Sequence, residues 1–238
     1  MMKGRTYPRR GLHGALVHDI GVRILRGEFK PGDLLPTEDE RRDELTVSRT
    51  VLREAIKVLA AKGLVESRPK TGTRVRPRGA WNLLDPDVLA WRLEMGPDRG
   101  FLKDIIDLRR IIEPEAARLA AERATDDEII ELEAALAQMR ATLDDPEAHL
   151  GPDLRFHELI LEACHNELVE QMASTLRAIY KALLVRSISP PNSAKALPLH
   201  SAIVQAIRDR DGDRAEVATR ALIDDTAAII DRTLPRED

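Results

Sequence analysis

The segment from Glu38 to Val75 constrains this chain more than any other, and Val47-Ser48-Arg49-Thr50-Val51-Leu52-Arg53-Glu54-Ala55 is its centre. Glu38-Asp39-Glu40 opens a short helix for which Thr37 is a good N-cap. Thr46 and Ser48 interrupt the pattern, and Ser48 is placed to cap a second helix. Val51, Leu52, Ala55, Val58 and Leu59 then repeat at three-to-four spacing, which makes one apolar face. Arg49, Thr50 and Arg53 fall off that face at the helix's leading end, where a recognition helix presents side chains to base edges and phosphates in a major groove. Gly63-Leu64-Val65 leaves the helix, and Pro69-Lys70-Thr71-Gly72-Thr73 reads as a turn between the β-prone runs Leu64-Val65 and Arg74-Val75. The tip of that wing, Lys70, Thr71 and Gly72, is expected to approach a nucleic-acid backbone or minor groove. The expectation is a winged helix-turn-helix that reads double-stranded DNA.

Charge supports this division of labour. Residues 1–79 hold 18 Lys/Arg and 10 Asp/Glu, a net +8, whereas the remainder holds 19 and 31, a net −12. A basic head on an acidic body fits a DNA-binding domain joined to one that does something else. The 238 residues suffice for two modest domains. No apolar run approaches the roughly 20 residues that cross a bilayer, and no signal-peptide core follows the basic start. The single cysteine, Cys164, rules out an internal disulfide and suits a reducing cytoplasm.

Taken in order, residues 1–10 read as a flexible arm, 11–78 as the winged helix-turn-helix, 79–98 as a linker with its own helix, and 99–234 as an all-α domain. Leu16, Ile20, Ile24 and Leu25 mark a helix over Leu12 to Leu25 that packs beneath the helix-turn-helix. Asp85-Pro86 starts the linker helix, with Val88, Leu89 and Trp91 to bury. Trp81 and Trp91 are expected in the core at the domain junction.

Beyond Arg99, five further stripes follow the first, which runs Leu102, Ile105, Ile106, Arg109, Ile112, Ala116. They run through Ile129 to Leu143, Asp153 to Cys164, Met172 to Arg186, His200 to Ile207 after a Pro190-Pro191 loop, and Ala215 to Ile229. No strand pattern appears, so the fold class is mainly α: the winged head plus an antiparallel bundle of six to seven helices.

The exceptions on these stripes are polar residues that face inward: Arg109, Asp153, His157, Arg186, His200 and Asp225. Asp153 and His157, four apart, project from one helix face, and His200 heads another stripe. One carboxylate and two imidazoles suit zinc, nickel, manganese or iron, with positions open for a further ligand. From the residues alone, His157 and His200 read more readily as hydrogen-bonded core or surface side chains than as ligands. His149 and His165 fall near loops and are expected at the surface.

The run Gly27-Glu28-Phe29-Lys30-Pro31-Gly32-Asp33-Leu34-Leu35-Pro36-Thr37-Glu38, followed by Val47-Ser48-Arg49-Thr50, Arg53-Glu54-Ala55, Gly63-Leu64-Val65 and Gly72-Thr73-Arg74-Val75, resembles the GntR family of bacterial transcription regulators. Trp81-Asn82-Leu83-Leu84-Asp85-Pro86-Asp87-Val88-Leu89-Ala90-Trp91 is similar to the sugar-acid regulators of its FadR branch, galactonate-type repressors among them. That branch has an all-α ligand domain, which often holds a metal through an Asp and a His four residues apart and two later histidines. The resemblance therefore implies Asp153, His157 and His200 as ligands to a divalent metal, zinc or nickel first. The last histidine is missing, since Leu222 stands about 22 residues after His200. Asp225, one turn on, is a substitute ligand or a solvated residue. A second departure is Arg41, where the family has leucine.

The resemblance also implies that Arg109 grips a small carboxylate effector through its guanidinium fork, with Arg186 in the same role. The alternatives are an internal Arg109–Glu113 pair and a snorkelling Arg186. The implied partner is an inverted-repeat operator bound by a homodimer, with effector binding shifting the helices next to the linker and so the spacing of the two DNA heads. Two competing classes remain: a metal-dependent hydrolase or isomerase on Asp153, His157 and His200, and a constitutive DNA-binding dimer with no effector. The enzyme has no His-Glu-x-x-His helix, phosphate loop or nucleophile elbow behind it, and Glu158 points about 100° around the helix from His157.

Overall fold

The computed structural model describes residues 11–35, 48–68, 71–96 and 99–233. It divides into two compact units, 1–97 and 98–238. The expected arm, the caps and acidic start at Thr37 to Glu40, and Arg41, Thr46, Val47, Pro69 and Lys70 lie outside the described residues.

In the first unit, α1 (Leu12–Leu25) buries Leu16, Val17, Ile20 and Ile24. Helix α2 (Arg49–Ala61) starts where its cap predicts: the Ser48 Oγ accepts from the Val51 N–H at 3.4 Å. Its Leu52, Ala55 and Leu59 are buried against α1, with Val51 and Val58 half-buried beside them. The chain leaves α2 through Gly63 at φ +75°, where an added Cβ would meet the Ala80 carbonyl oxygen at 2.4 Å. Only glycine fits both conditions without strain.

The wing is an antiparallel pair, β1 (Val65–Arg68) and β2 (Gly72–Val75), in the register Val65↔Val75 to Arg68↔Gly72. The stretch before the helix-turn-helix adds a third edge that the sequence pattern did not announce. Leu34 bridges Arg74, and the Leu35 and Val75 N–H groups donate to Thr73 and Asp33 carbonyls.

Helix α3 (Pro86–Glu94) is capped by Asp85, whose carboxylate accepts from the Asp87 and Val88 N–H groups. It packs on α1, where Gly21 leaves the space that the fully buried Trp91 ring fills. Lys62, at the C-cap of α2, is 1% exposed and donates to Asp85 at 2.8 Å and to Asp87 at 2.7 Å. This buried triad fixes the end of α2 to the start of α3.

The second unit consists, among the described residues, of α4 (Arg99–Arg123), α5 (Asp126–Ala141), α6 (Pro146–Ala163), α7 (Glu167–Ser187), α8 (Pro190–Arg208) and α9 (Gly212–Thr233). Its ends are capped as local chemistry dictates, with a capping box at Thr125–Glu128 and side-chain caps at Asp145 and Asn166. The core is aliphatic, built around Leu132, Met139, Phe156, Ile203 and Ile207 from α5, α6 and α8. One boundary departs from expectation. Pro190 and Pro191 do not form a loop: they are the first residues of α8, where the missing N–H of proline breaks no helical bond. None of the described helices is long and apolar enough to cross a membrane.

Candidate metal centre and nucleic-acid interface

Ser48, Thr50 and Arg53 are exposed at the leading end of α2, on the side away from Leu52, Ala55 and Leu59. Arg49 occupies the first turn of α2, but its side chain lies outside the described set, as does Lys70. Thr71 and Gly72 are exposed at the wing turn, with Gly72 at φ +82°. Ser48, Thr50 and Arg53 combine solvent access with a capped helix N-terminus, two properties that a duplex-reading surface needs.

The second unit holds a small cavity of about 40 Å³, room for an ion and a water or two. Arg109 reaches it from α4, His149, Asp153 and His157 from α6, Tyr180 from α7, His200 from α8, and Leu222 and Asp225 from α9. Asp153, His157 and His200 are all buried and offer ligand atoms within 4.8 Å of one another. The His157 Nε2 is 3.3 Å from Asp153 Oδ1, and the His200 Nε2 is 3.8 Å from the same oxygen.

Hydrogen bonding fixes the state of these groups. The His200 Nδ1 lies 3.0 Å from the Ala196 carbonyl oxygen, which can only accept. Nδ1 therefore carries the proton and Nε2 presents a lone pair to the cavity. Burial drives the His200 pKa down to about 4, with the Asp153 charge offsetting part of that shift. For Asp153 burial acts in the raising direction, but the surrounding imidazoles of His157 and His200 outweigh it and hold the carboxyl below its ordinary value. A neutral imidazole and an ionised carboxylate thus face each other, and no hydrogen bond from the described residues reaches Asp153 Oδ1 or His200 Nε2. Two buried acceptors without a donor are costly, by about 1–3 kcal/mol each or more where charged. A cation between them removes that cost, so the residues fit a divalent metal.

Arg109 is 3% exposed, and its internal pair with Glu113 is formed. Its Nε and Nη2 donate to the two Glu113 oxygens at 2.6 and 3.2 Å, and its guanidinium carbon sits 5.0 Å from the Tyr180 ring centre. It also lines the cavity. Tyr180 in turn stacks on His157, with ring centres 4.6 Å apart. Burial, reinforced by the Glu113 charge, pushes the Tyr180 hydroxyl well above its ordinary pKa. The side chain of Arg186 lies outside the described set. Asp225 lines the cavity and pairs with Lys195, so it is not a solvated residue.

Two residues were misread or missed. His149 is not at the surface: it is 2% exposed, on the first turns of α6. Its position four residues before Asp153 and eight before His157 put it on their face, a signal that proximity to the Asp144-Asp145 loop obscured. Tyr180 carried no such signal, because an aromatic on an apolar stripe reads as core. His165 is half-exposed, at φ 48°, with its ring 3.0 Å from Glu128, as its loop position suggested. Glu158 is buried and paired with Arg177, and it is not among the residues that line the cavity.

Comparison with known proteins agrees with both halves of this reading. Residues 12–75 match the model of bacterial regulatory proteins of the gntR family, and residues 104–225 match the FCD domain. The galactonate operon transcriptional repressor of Escherichia coli K12 is 37% identical over 210 residues, which span 87% of this chain and 92% of that protein. The transcriptional repressor NanR of Salmonella newport is 29% identical over 237 residues, 95% of this chain and 88% of that one. Among solved structures, a GntR protein of Streptococcus agalactiae superposes with a TM-score of 0.50 at 25% identity, covering 94% of this chain and all of that one. The Lar regulator of Listeria monocytogenes gives 0.57 at 16% identity over 96% and 100%, a likeness of fold. The relatives are regulators rather than enzymes, which decides against the hydrolase or isomerase reading. The chain belongs to the GntR family of DNA-binding transcription regulators, in the branch whose C-terminal half is an effector-binding FCD domain.

Proposed function

We propose that this regulator represses an operon for the catabolism of a sugar acid or related carboxylate. It acts as a homodimer on an inverted-repeat operator, and its effector and a divalent metal, zinc or nickel, share the α4–α9 cavity. The observation that carries the ligand half is the convergence of Asp153, His157 and His200 in a buried cavity where Asp153 Oδ1 and His200 Nε2 have no hydrogen-bond partner among the described residues. FCD domains often bind metal, and here Asp153, His157 and His200 would hold it. A bound metal supplies Lewis-acidic positions for carboxylate or hydroxyl oxygens. Arg109, paired with Glu113, lines the same cavity wall and is the candidate to meet an anionic effector. The name of the galactonate operon repressor, 37% identical, supports the sugar-acid class.

On the DNA side, Arg49 and Arg53 take base edges or phosphates, Ser48 and Thr50 take phosphates or base edges, and Lys70, Thr71 and Gly72 approach the backbone or minor groove. A dimer doubles these contacts and fixes the half-site spacing. An effector that prefers one arrangement of the dimer alters operator affinity by no more than its differential affinity for the two, typically about 5–150-fold. The test is operator binding by the metal-loaded protein with and without a series of hexonates and uronates. Release by at least one of them is expected. Affinity unmoved by every member would refute the effector class.

A further inference from the structure

We propose that His149 is a fourth protein ligand to the metal held by Asp153, His157 and His200, taking the part that Leu222 cannot play. This rests on the metal reading above and adds a residue to it. The α9 position from which the resemblance implies a last histidine is Leu222, which lines the cavity with a side chain that offers no donor atom. His149 lines the same cavity from α6, 2% exposed, with its Nε2 3.9 Å from Asp153 Oδ2. It approaches the carboxylate oxygen opposite the one that His157 and His200 face.

The state of the ring follows from the hydroxyl beside it. The Thr142 Oγ1 is 2.9 Å from the Gln138 carbonyl oxygen and 3.3 Å from that of Met139, so its one proton is committed to the backbone. The same oxygen lies 3.1 Å from His149 Nδ1 and can only accept there, which makes Nδ1 the protonated nitrogen. With the Nδ1 proton held there, Nε2 is the nitrogen left to offer a lone pair towards Asp153. At 3.9 Å, with acceptors on both sides, no hydrogen bond joins them. A histidine whose remote nitrogen is anchored by a hydrogen bond and whose near nitrogen faces a carboxylate is arranged as metal ligands are. His149 stands outside the 4.8 Å set of the other three, so its ring would have to move inward to ligate with them.

Zinc titration of the metal-stripped full chain against a chromophoric chelator, with cobalt(II) absorption as a second readout, tests this. His149→Phe fills the volume without a ligand atom, and His149→Phe with Leu222→His moves the donor to α9. The expected result is at least about tenfold weaker zinc binding in His149→Phe, an altered cobalt visible spectrum, and recovery of affinity in the double variant. A loss below about tenfold, or one that Leu222→His does not reverse, would overturn the assignment. If that happens while His157→Ala abolishes binding, the three-ligand reading stands without His149. A wild-type protein that takes up no zinc or cobalt would overturn both.

Discussion

Replacing Lys62 with Met isolates the buried charge that joins the end of α2 to the start of α3. The methionine keeps most of the apolar stem and removes the ammonium that donates to Asp85 Oδ1 and Oδ2 at 2.8 and 3.1 Å and to Asp87 Oδ2 at 2.7 Å. The two acids then fare differently. Asp85 keeps its capping bonds from the Asp87 and Val88 N–H groups at 3.0 and 3.2 Å. Asp87, 4% exposed, loses its charge partner in a site that water barely reaches. Removing one member of a buried ion pair typically destabilises by about 3–5 kcal/mol. Against a domain stability of about 5–15 kcal/mol, that is a large share. For a unit of this size each kcal/mol moves the midpoint by about 4–8 °C, so a fall of at least about 12 °C is expected. Trp81 and Trp91 are the chain's two tryptophans and both lie in the first unit, so tryptophan fluorescence during thermal or urea unfolding reports that unit selectively. Pairing the change with Asp87→Leu removes the stranded carboxylate and should recover more than half of the loss, because apolar replacement of a whole buried pair is often neutral. A single-variant loss below about 1 kcal/mol, or a double variant no better than the single, would refute the reasoning.

Gly63→Ala should cost at least about 1–2 kcal/mol from its left-handed backbone alone, with the Ala80 carbonyl in the way of its Cβ, and urea midpoints read by tryptophan fluorescence check it. Arg53→Ala should weaken operator binding and, if its partner is a phosphate, lower the salt slope by about one, as measured by fluorescence anisotropy between 50 and 200 mM salt. Zinc at about a hundred times its dissociation constant should stabilise the second unit by about 2.7 kcal/mol, and Asp153→Asn should abolish that gain in calorimetry. In the metal-stripped protein, stability should fall as pH drops from about 6.5 towards about 4. The unfolded chain protonates at His200's ordinary value while the folded chain resists until about 4, and the depressed Asp153 acts in the same direction. His200→Leu should flatten that slope when unfolding is followed by circular dichroism at pH 7 and 5.

What the sequence revealed depended on whether the controlling interactions were local. Helix α2 was legible because Ser48 caps it and its apolar face repeats within one window, and α3 because Asp85-Pro86 is both cap and first turn. The Asp153–His157 pair was legible for the same reason, since four residues of helix fix their common face. The strand-like pairing of Leu34 with Arg74 was not, because it joins segments forty residues apart through backbone groups that leave no mark on side-chain pattern. Nor was the fate of Arg109. Its i,i+4 pairing with Glu113 could be foreseen, but that the pair would also face the cavity depends on how α4, α6 and α7 pack. His149 shows the opposite error, in which a true local signal, spacing of four and eight on one face, was outweighed by a short loop just upstream.

The cavity also explains why the second unit should respond to a ligand at all. A bundle core filled with Leu and Ile would gain little from anything bound inside it. This one instead buries Arg109, Glu113, Asp153, His149, His157 and His200 between its helices, each below 9% exposure. Arg109 and Glu113 satisfy one another, whereas Asp153 and His200 face each other as acceptors. On the proposed reading, a cation and an anionic ligand would offset that mismatch, so their binding would act on the packing of α4, α6 and α8 as well as on the cavity. A ligand that offset this buried mismatch would be coupled to the helices that carry it, and such coupling is what a ligand-gated regulator requires.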